Sequence, residues 1–194
     1  MKNIIILFSS FLFIQCSVDR TILSITDNET ITLENFQKLD SLNKVIIANE
    51  KEPGEKLILC LTYIDKATKK AISNRHVSLY HTSTDGKYKP SNTDDETTAR
   101  LNGTATTNED GKIFVRTILP GDYGSMEDRR HIHTTIYAAK PRNYDIFFNQ
   151  YSGRMGKFMN SGNDHMFYAD LKKTTDDILI CFVTIEVNNP EAKD

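Results

Sequence analysis

The stretch from Gly103 to His133 limits what this chain can fold into more than any other. Residues 103–107 read as a strand, Asn108-Glu109-Asp110-Gly111 as a tight turn, and residues 112–118 as a second strand. Pro120-Gly121 then makes a corner that carries Tyr123, and a third strand starts at His131. His131 and His133 are two positions apart. On a strand, residues at that spacing point to the same face. Two imidazoles on one face, with a tyrosine at a corner just upstream, make half of a candidate metal site. The bland alternative is a pair of half-exposed strand histidines with no chemical role.

The flanking sequence continues the same pattern. Residues 56–64 alternate into an apolar run, residues 76–81 (His-Val-Ser-Leu-Tyr-His) alternate with period two, and residues 131–138, 144–149 and 178–187 are further strand candidates. Asp85-Gly86 makes a turn just before Tyr88, residues 91–98 read as an acidic loop, and residues 152–164, rich in Gly and Asn, as a long one. Strands spaced by about 8–12 residues suggest a sandwich or barrel, so the expected class is all-β. Cys60 and Cys181 each sit inside an apolar strand-like run. An exported protein permits a disulfide between them; two buried free thiols are the alternative. The formal net charge of -2 comes with no basic stripe, so nothing points to nucleic acid.

The N-terminus reads as an address. Met1-Lys2-Asn3 precedes an apolar run from Ile4 to Ile14, broken only by Ser9 and Ser10, and then Gln15-Cys16. That is a secretory signal, too short for a membrane span of about 20 apolar residues. Phe13-Ile14-Gln15-Cys16 is similar to a lipobox, with Gln15 in place of the usual small residue. Cys16 is then the lipidated residue of an exported bacterial membrane-anchored lipoprotein, periplasmic or on the outer-membrane side. Ordinary signal cleavage just after Cys16 is the other reading. The resulting organisation is a signal peptide over 1–15, a tether and N-terminal appendage over 16–53, and a β-sandwich over 54–190. Pro53-Gly54 marks the boundary. Within the appendage, the apolar spacing over residues 34–48 predicts a short amphipathic helix capped by Thr30 or Thr32.

Taken together, Tyr88 after Asp85-Gly86-Lys87, Tyr123 after Pro120-Gly121-Asp122, and His131-Ile132-His133 resemble the intradiol ring-cleavage dioxygenases, the family of catechol and protocatechuate dioxygenases. The resemblance runs from about Leu57 to Phe148. It implies a β-sandwich of the intradiol dioxygenase type and a non-haem Fe(III) held by Tyr88, Tyr123, His131 and His133. It also implies that Tyr88 and His131 stay bound, and that Tyr123 leaves the metal and takes a substrate proton, with His133 opposite it. The implied reaction cleaves a catechol-type ring between its two hydroxyl carbons with dioxygen, giving a muconate-type diacid. The residue types suit a hard cation: tyrosinates cancel charge and neutral imidazoles complete the set.

The resemblance also has departures. The position three before the first His, often Arg in the family, is Asp128, and the arginines are Arg129 and Arg130. Arg129-Arg130 also replaces the Pro-Ala common directly before that His. Asp145 occupies the nearest equivalent of a substrate-side Gln on the next strand. Two alternatives stand beside the enzyme: a non-catalytic exported sandwich that binds a ligand or partner, and an iron- or catechol-binding protein without turnover.

Overall fold

The computed structural model of the chain describes residues 20–124, 128–153 and 163–191. The signal segment and Cys16 lie outside the described residues, as does most of the loop expected over residues 152–164. In chain order the elements are β1 (Leu23–Ser24), α1 (Asp27–Gln37), β2 (Lys44–Ile46), β3 (Lys56–Asp65), β4 (His76–His81), β5 (Leu101–Thr106) and β6 (Lys112–Ile118). They continue with β7 (His131–Ile136), β8 (Asn143–Phe148), β9 (Met166–Ala169), β10 (Lys172–Lys173) and β11 (Leu179–Val187).

The strands form two sheets, in the orders β1-β10-β11-β3-β6-β2 and β5-β4-β7-β8-β9. One apolar core lies between them: Leu59, Leu61, Val115 and Ile185 from the first sheet meet Leu79, Ile132, Ile136 and Ile146 from the second. In the second sheet β4, β7 and β8 alternate buried and less buried residues, as a sheet with one covered face requires. Two polar pairs span the core. The Tyr63 and Thr134 hydroxyls are 2.9 Å apart, and His81 Nε2 is 2.6 Å from Thr117 Oγ1. Each satisfies a group that would otherwise be stranded in apolar surroundings.

The helix is not where the apolar spacing puts it. It spans Asp27–Gln37, and its cap is Thr26 in a reciprocal capping box with Glu29. Leu33 and Phe36 bury its inner face against Ile58, Phe114 and Ile180 on the outside of the first sheet. The apolar residues farther on, Val45 and Ile46, belong to β2 instead. Two strands lie before Pro53: β1 pairs in parallel with β10, and β2 in parallel with β6, so hydrogen bonds join the N-terminal segment to the first sheet. Cys60 and Cys181 are both free and buried. Cys60 packs in the outer cluster beneath α1 and Cys181 in the core between the sheets, so the thiols occupy opposite faces.

Candidate metal centre

Alternation along β7 decides where the histidines go. Ile132, Thr134 and Ile136 are buried in the core, which turns His131 and His133 to the outer face of the second sheet. His131 Nδ1 lies 2.7 Å from the Arg129 carbonyl oxygen. His133 Nδ1 lies 2.6 Å from Asp145 Oδ1, on the residue directly across the strand pair. A carbonyl and a carboxylate can only accept, so both Nδ1 atoms carry the hydrogen. In the neutral rings both Nε2 atoms are then bare, and they face each other at 3.1 Å. The Tyr88 hydroxyl lies 2.7 Å from His133 Nε2.

Tyr88 reaches this point through its turn. Gly86 sits at φ +71°, a left-handed conformation that favours glycine, and closes the reversal with its N–H to the Ser83 carbonyl. The Tyr88 side chain is buried. Tyr123 arrives on the neighbouring corner, held against the first turn by Gly121 N–H to the Ser83 carbonyl and by the Thr82 hydroxyl to the Gly121 carbonyl. Its ring is 5.4 Å from that of Tyr88 and 6.3 Å from that of His131. It is 43 % exposed, and its hydroxyl donates to Glu96 Oε1 at 3.3 Å rather than to the other three groups. His133 thus touches both Tyr88 and His131, while Tyr123 stands beside them with its hydroxyl turned outward. A cavity of about 450 Å³ opens there, lined by Gly86, Tyr88, Pro90, Glu96 and Tyr123.

Electrostatics favour a cation at the focus. Burial, followed by the nearby negative charge of Glu96, pushes the Tyr88 phenol above its usual range. Burial holds His131 below the usual imidazole range, so it stays neutral. Two bare nitrogens at this separation repel each other unless something positive lies against both. Two donors bound at about 2 Å and a right angle to one first-row metal ion would lie about 2.8 Å apart, close to the 3.1 Å and 2.7 Å seen between these donors. Among the described residues no group of three or more His, Cys, Asp and Glu side chains is placed to hold a metal. The donor set that does fit is two imidazoles and a phenol, with a second phenol beside them, and it suits a hard trivalent ion.

The chain shares this architecture with known proteins. The family model Dioxygenase_C, described as Dioxygenase, matches residues 35–193. This chain belongs to the intradiol dioxygenase family. Among solved structures it is similar to an intradiol ring-cleavage dioxygenase from Tetranychus urticae, with 22% identity and a TM-score of 0.55, over 78% of this chain and 88% of that one. It is also similar to catechol 1,2-dioxygenase from Pseudomonas arvilla C-1, with 17% identity and a TM-score of 0.55, over 78% of this chain and 60% of that one. The dioxygenase domain of a carbohydrate-binding fusion from Streptomyces sp. SirexAA-E matches at 17% identity and TM-score 0.54, over 77% of this chain and 92% of that one. At these identities the likeness establishes the fold. No curated protein matches the chain.

Two residues of the site, Tyr80 and Glu96, carry no role in the sequence analysis, and a third, Asp145, gains a contact there. Tyr80 lies directly across from His133 in the β4–β7 pair and stacks on its ring at 4.5 Å. Asp145, the nearest equivalent of the family's substrate-side Gln, faces His133. Glu96 holds the Tyr123 hydroxyl. Period two on β4 and β8 puts Tyr80 and Asp145 on outward faces, but only the strand register brings either to His133. The side chains of Arg20 and Arg130 make their contacts elsewhere. Asp128, in the left-handed region at φ +62°, pairs with Arg20 at 2.8 Å. Arg130 lies over the Tyr151 ring at 4.1 Å and 3.6 Å from Asp122.

Proposed function

We propose that this family member is a non-haem Fe(III) enzyme that opens a catechol-type ring between its two hydroxyl carbons with dioxygen. The observation that carries the reading is that His133 Nε2 lies within 3.1 Å of His131 Nε2 and 2.7 Å of the Tyr88 hydroxyl, so that two imidazole nitrogens and a phenol are neighbours. Tyr123 beside them completes the set of four. When bound, Fe(III) supplies Lewis acidity that stabilises phenolates and activates the diol toward dioxygen. Tyr88 would release its phenol proton to solvent and serve as a charge-cancelling ligand, and His131 and His133 would serve as neutral ones. Tyr123 lines the cavity; as a ligand it would first lose its phenol proton to solvent, and its phenolate oxygen, once freed, would take one proton from the incoming diol and so restore the hydroxyl that donates to Glu96. The cavity is large enough for a single-ring diol.

A second reading, binding of catechols without turnover, draws support from Asp128. The family's arginine position carries an acid here, and that acid is engaged by Arg20. Anaerobic addition of catechol to iron-loaded protein, followed by oxygen, separates the two. The enzyme returns to its starting spectrum and releases a ring-opened diacid. A shifted spectrum that persists in oxygen, with no product, identifies a binder. Protein that takes up no iron sinks both. We further propose that the protein is exported and anchored through lipid on Cys16, a reading that rests on the lipobox-like sequence alone.

A further inference from the structure

We infer that Asp145 is a positioning residue that makes His133 the more electron-rich of the two imidazole donors, an inference that rests on the metal reading above. The two histidines are supported differently. Behind His131 stands a neutral carbonyl, that of Arg129 at 2.7 Å; behind His133 stands a carboxylate, Asp145 Oδ1 at 2.6 Å. A hydrogen bond to a charged acceptor is roughly twice as strong as one to a neutral acceptor. It also draws the Nδ1 proton toward the carboxylate and leaves more electron density on Nε2, the atom aimed at the focus.

Three features show that this contact is built into the fold. Register places Asp145 directly opposite His133, so the pair is fixed by the β7–β8 ladder rather than by a free loop. The side chains of His133 and Asp145 are 20% and 25% exposed, which limits solvent screening of the pair. The remaining face of the imidazole is covered by the Tyr80 ring, stacked within 22° of parallel. His133 is thereby held from behind by Asp145 and from the side by Tyr80, with Nε2 directed at Tyr88 and His131. The centre has one imidazole backed by a full negative charge. That charge stabilises the ferric over the ferrous state and reduces the pull of the metal on its tyrosinates.

Two substitutions separate orientation from charge. Asp145→Asn keeps an oxygen that accepts the Nδ1 hydrogen but removes the charge; Asp145→Ala removes both. Iron affinity, the visible tyrosinate-to-iron band and the Fe(III)/Fe(II) midpoint are measured on wild type and both variants. Groups that accept the other ring hydrogen of a metal-bound histidine are typically worth about 10–100-fold in metal affinity, and Asp145→Ala should lose that much. Asp145→Asn should lose less, yet move the midpoint positive and the band to longer wavelength. A merely structural hydrogen bond would leave both signals of the Asn variant where they were. Coloured wild type with variants identical to it in affinity, band and midpoint overturns this inference alone. Colourless, iron-free wild type overturns the metal reading and this inference with it. Should the Ala variant fail to fold, the isosteric Asn variant decides.

Discussion

Gly121→Ala tests how the two tyrosines are brought together. The corner that carries Tyr123 lies flat against the turn that leads to Tyr88. A Cβ on Gly121 would run into the Thr84 carbonyl oxygen and come within 2.7 Å of the Gly86 nitrogen, where ordinary contact begins at 3.4 Å. Both obstacles are backbone, so no side chain can swing away. The corner must therefore retreat by roughly 0.7 Å or more, as overpacked sites do. Retreat stretches the Gly121 N–H bond to the Ser83 carbonyl, now 3.1 Å, and the Thr82 hydroxyl bond to the Gly121 carbonyl, now 3.0 Å. At about 0.5–1.5 kcal/mol each, their loss costs about 1–3 kcal/mol of stability. Urea denaturation of the metal-free protein measures that directly. Because misplacement by about 1 Å can cost 10²-fold in a positioned site, turnover should fall further than stability alone explains. A variant within about 0.5 kcal/mol of wild type, with unchanged iron retention, would refute the argument that backbone contact sets the spacing of the tyrosines.

Burial pushes the His81 imidazole down to about 4, while the unfolded chain titrates near 6.5. The unfolded state therefore gains a proton first as pH falls. Stability is unaffected above about pH 6.5 and declines between there and about pH 4, by up to about 3 kcal/mol; His81→Gln should lack that share of the acid destabilisation when both are followed by denaturant melts. Iron-loaded protein should be coloured by tyrosinate-to-iron charge transfer. Tyr88→Phe should weaken iron retention, whereas Tyr123→Phe should spare iron and depress turnover, because Tyr123 is the exposed, outward-turned member; equal effects on retention would remove the distinction. Cys16→Ser should release the protein from the membrane fraction, and unchanged association would point to another anchor.

The strands that read most clearly are those in which one face meets the core. In β4 the alternation alone gives the observed bounds, because burial on one side imposes period two; β6, buried on both faces, is bounded instead by the turn over residues 108–111 and the Pro120-Gly121 corner. β9 and β10 go unread for the opposite reason. Met166-Phe167-Tyr168 sits half-buried without alternation, and Lys172–Lys173 is too short to carry a period. The helix is misplaced because apolar spacing over residues 34–48 runs together two structures, the end of α1 and the whole of β2. The capping box at Thr26 and Glu29 marks the true start, but its side chains lie ahead of the apolar stretch.

The same limit applies inside the site. Local pattern puts His131 and His133 on one face, because two residues on one strand need no partner to define their relation. It cannot put Tyr80 and Asp145 beside them, because that depends on which strands pair and in which register. Once β4 lies on one side of β7 and β8 on the other, a single row runs Tyr80, His133, Asp145 across three strands. Sliding β8 by one residue would turn Asp145 into the core and bring a core residue of β8 out to His133. The inward anchors Tyr144, Ile146 and Phe148, each fully buried, oppose that slip. The packing of one face of the second sheet therefore fixes the chemistry on the other. A substitution that unsettles these anchors should disturb the carboxylate behind His133 without touching any ligand.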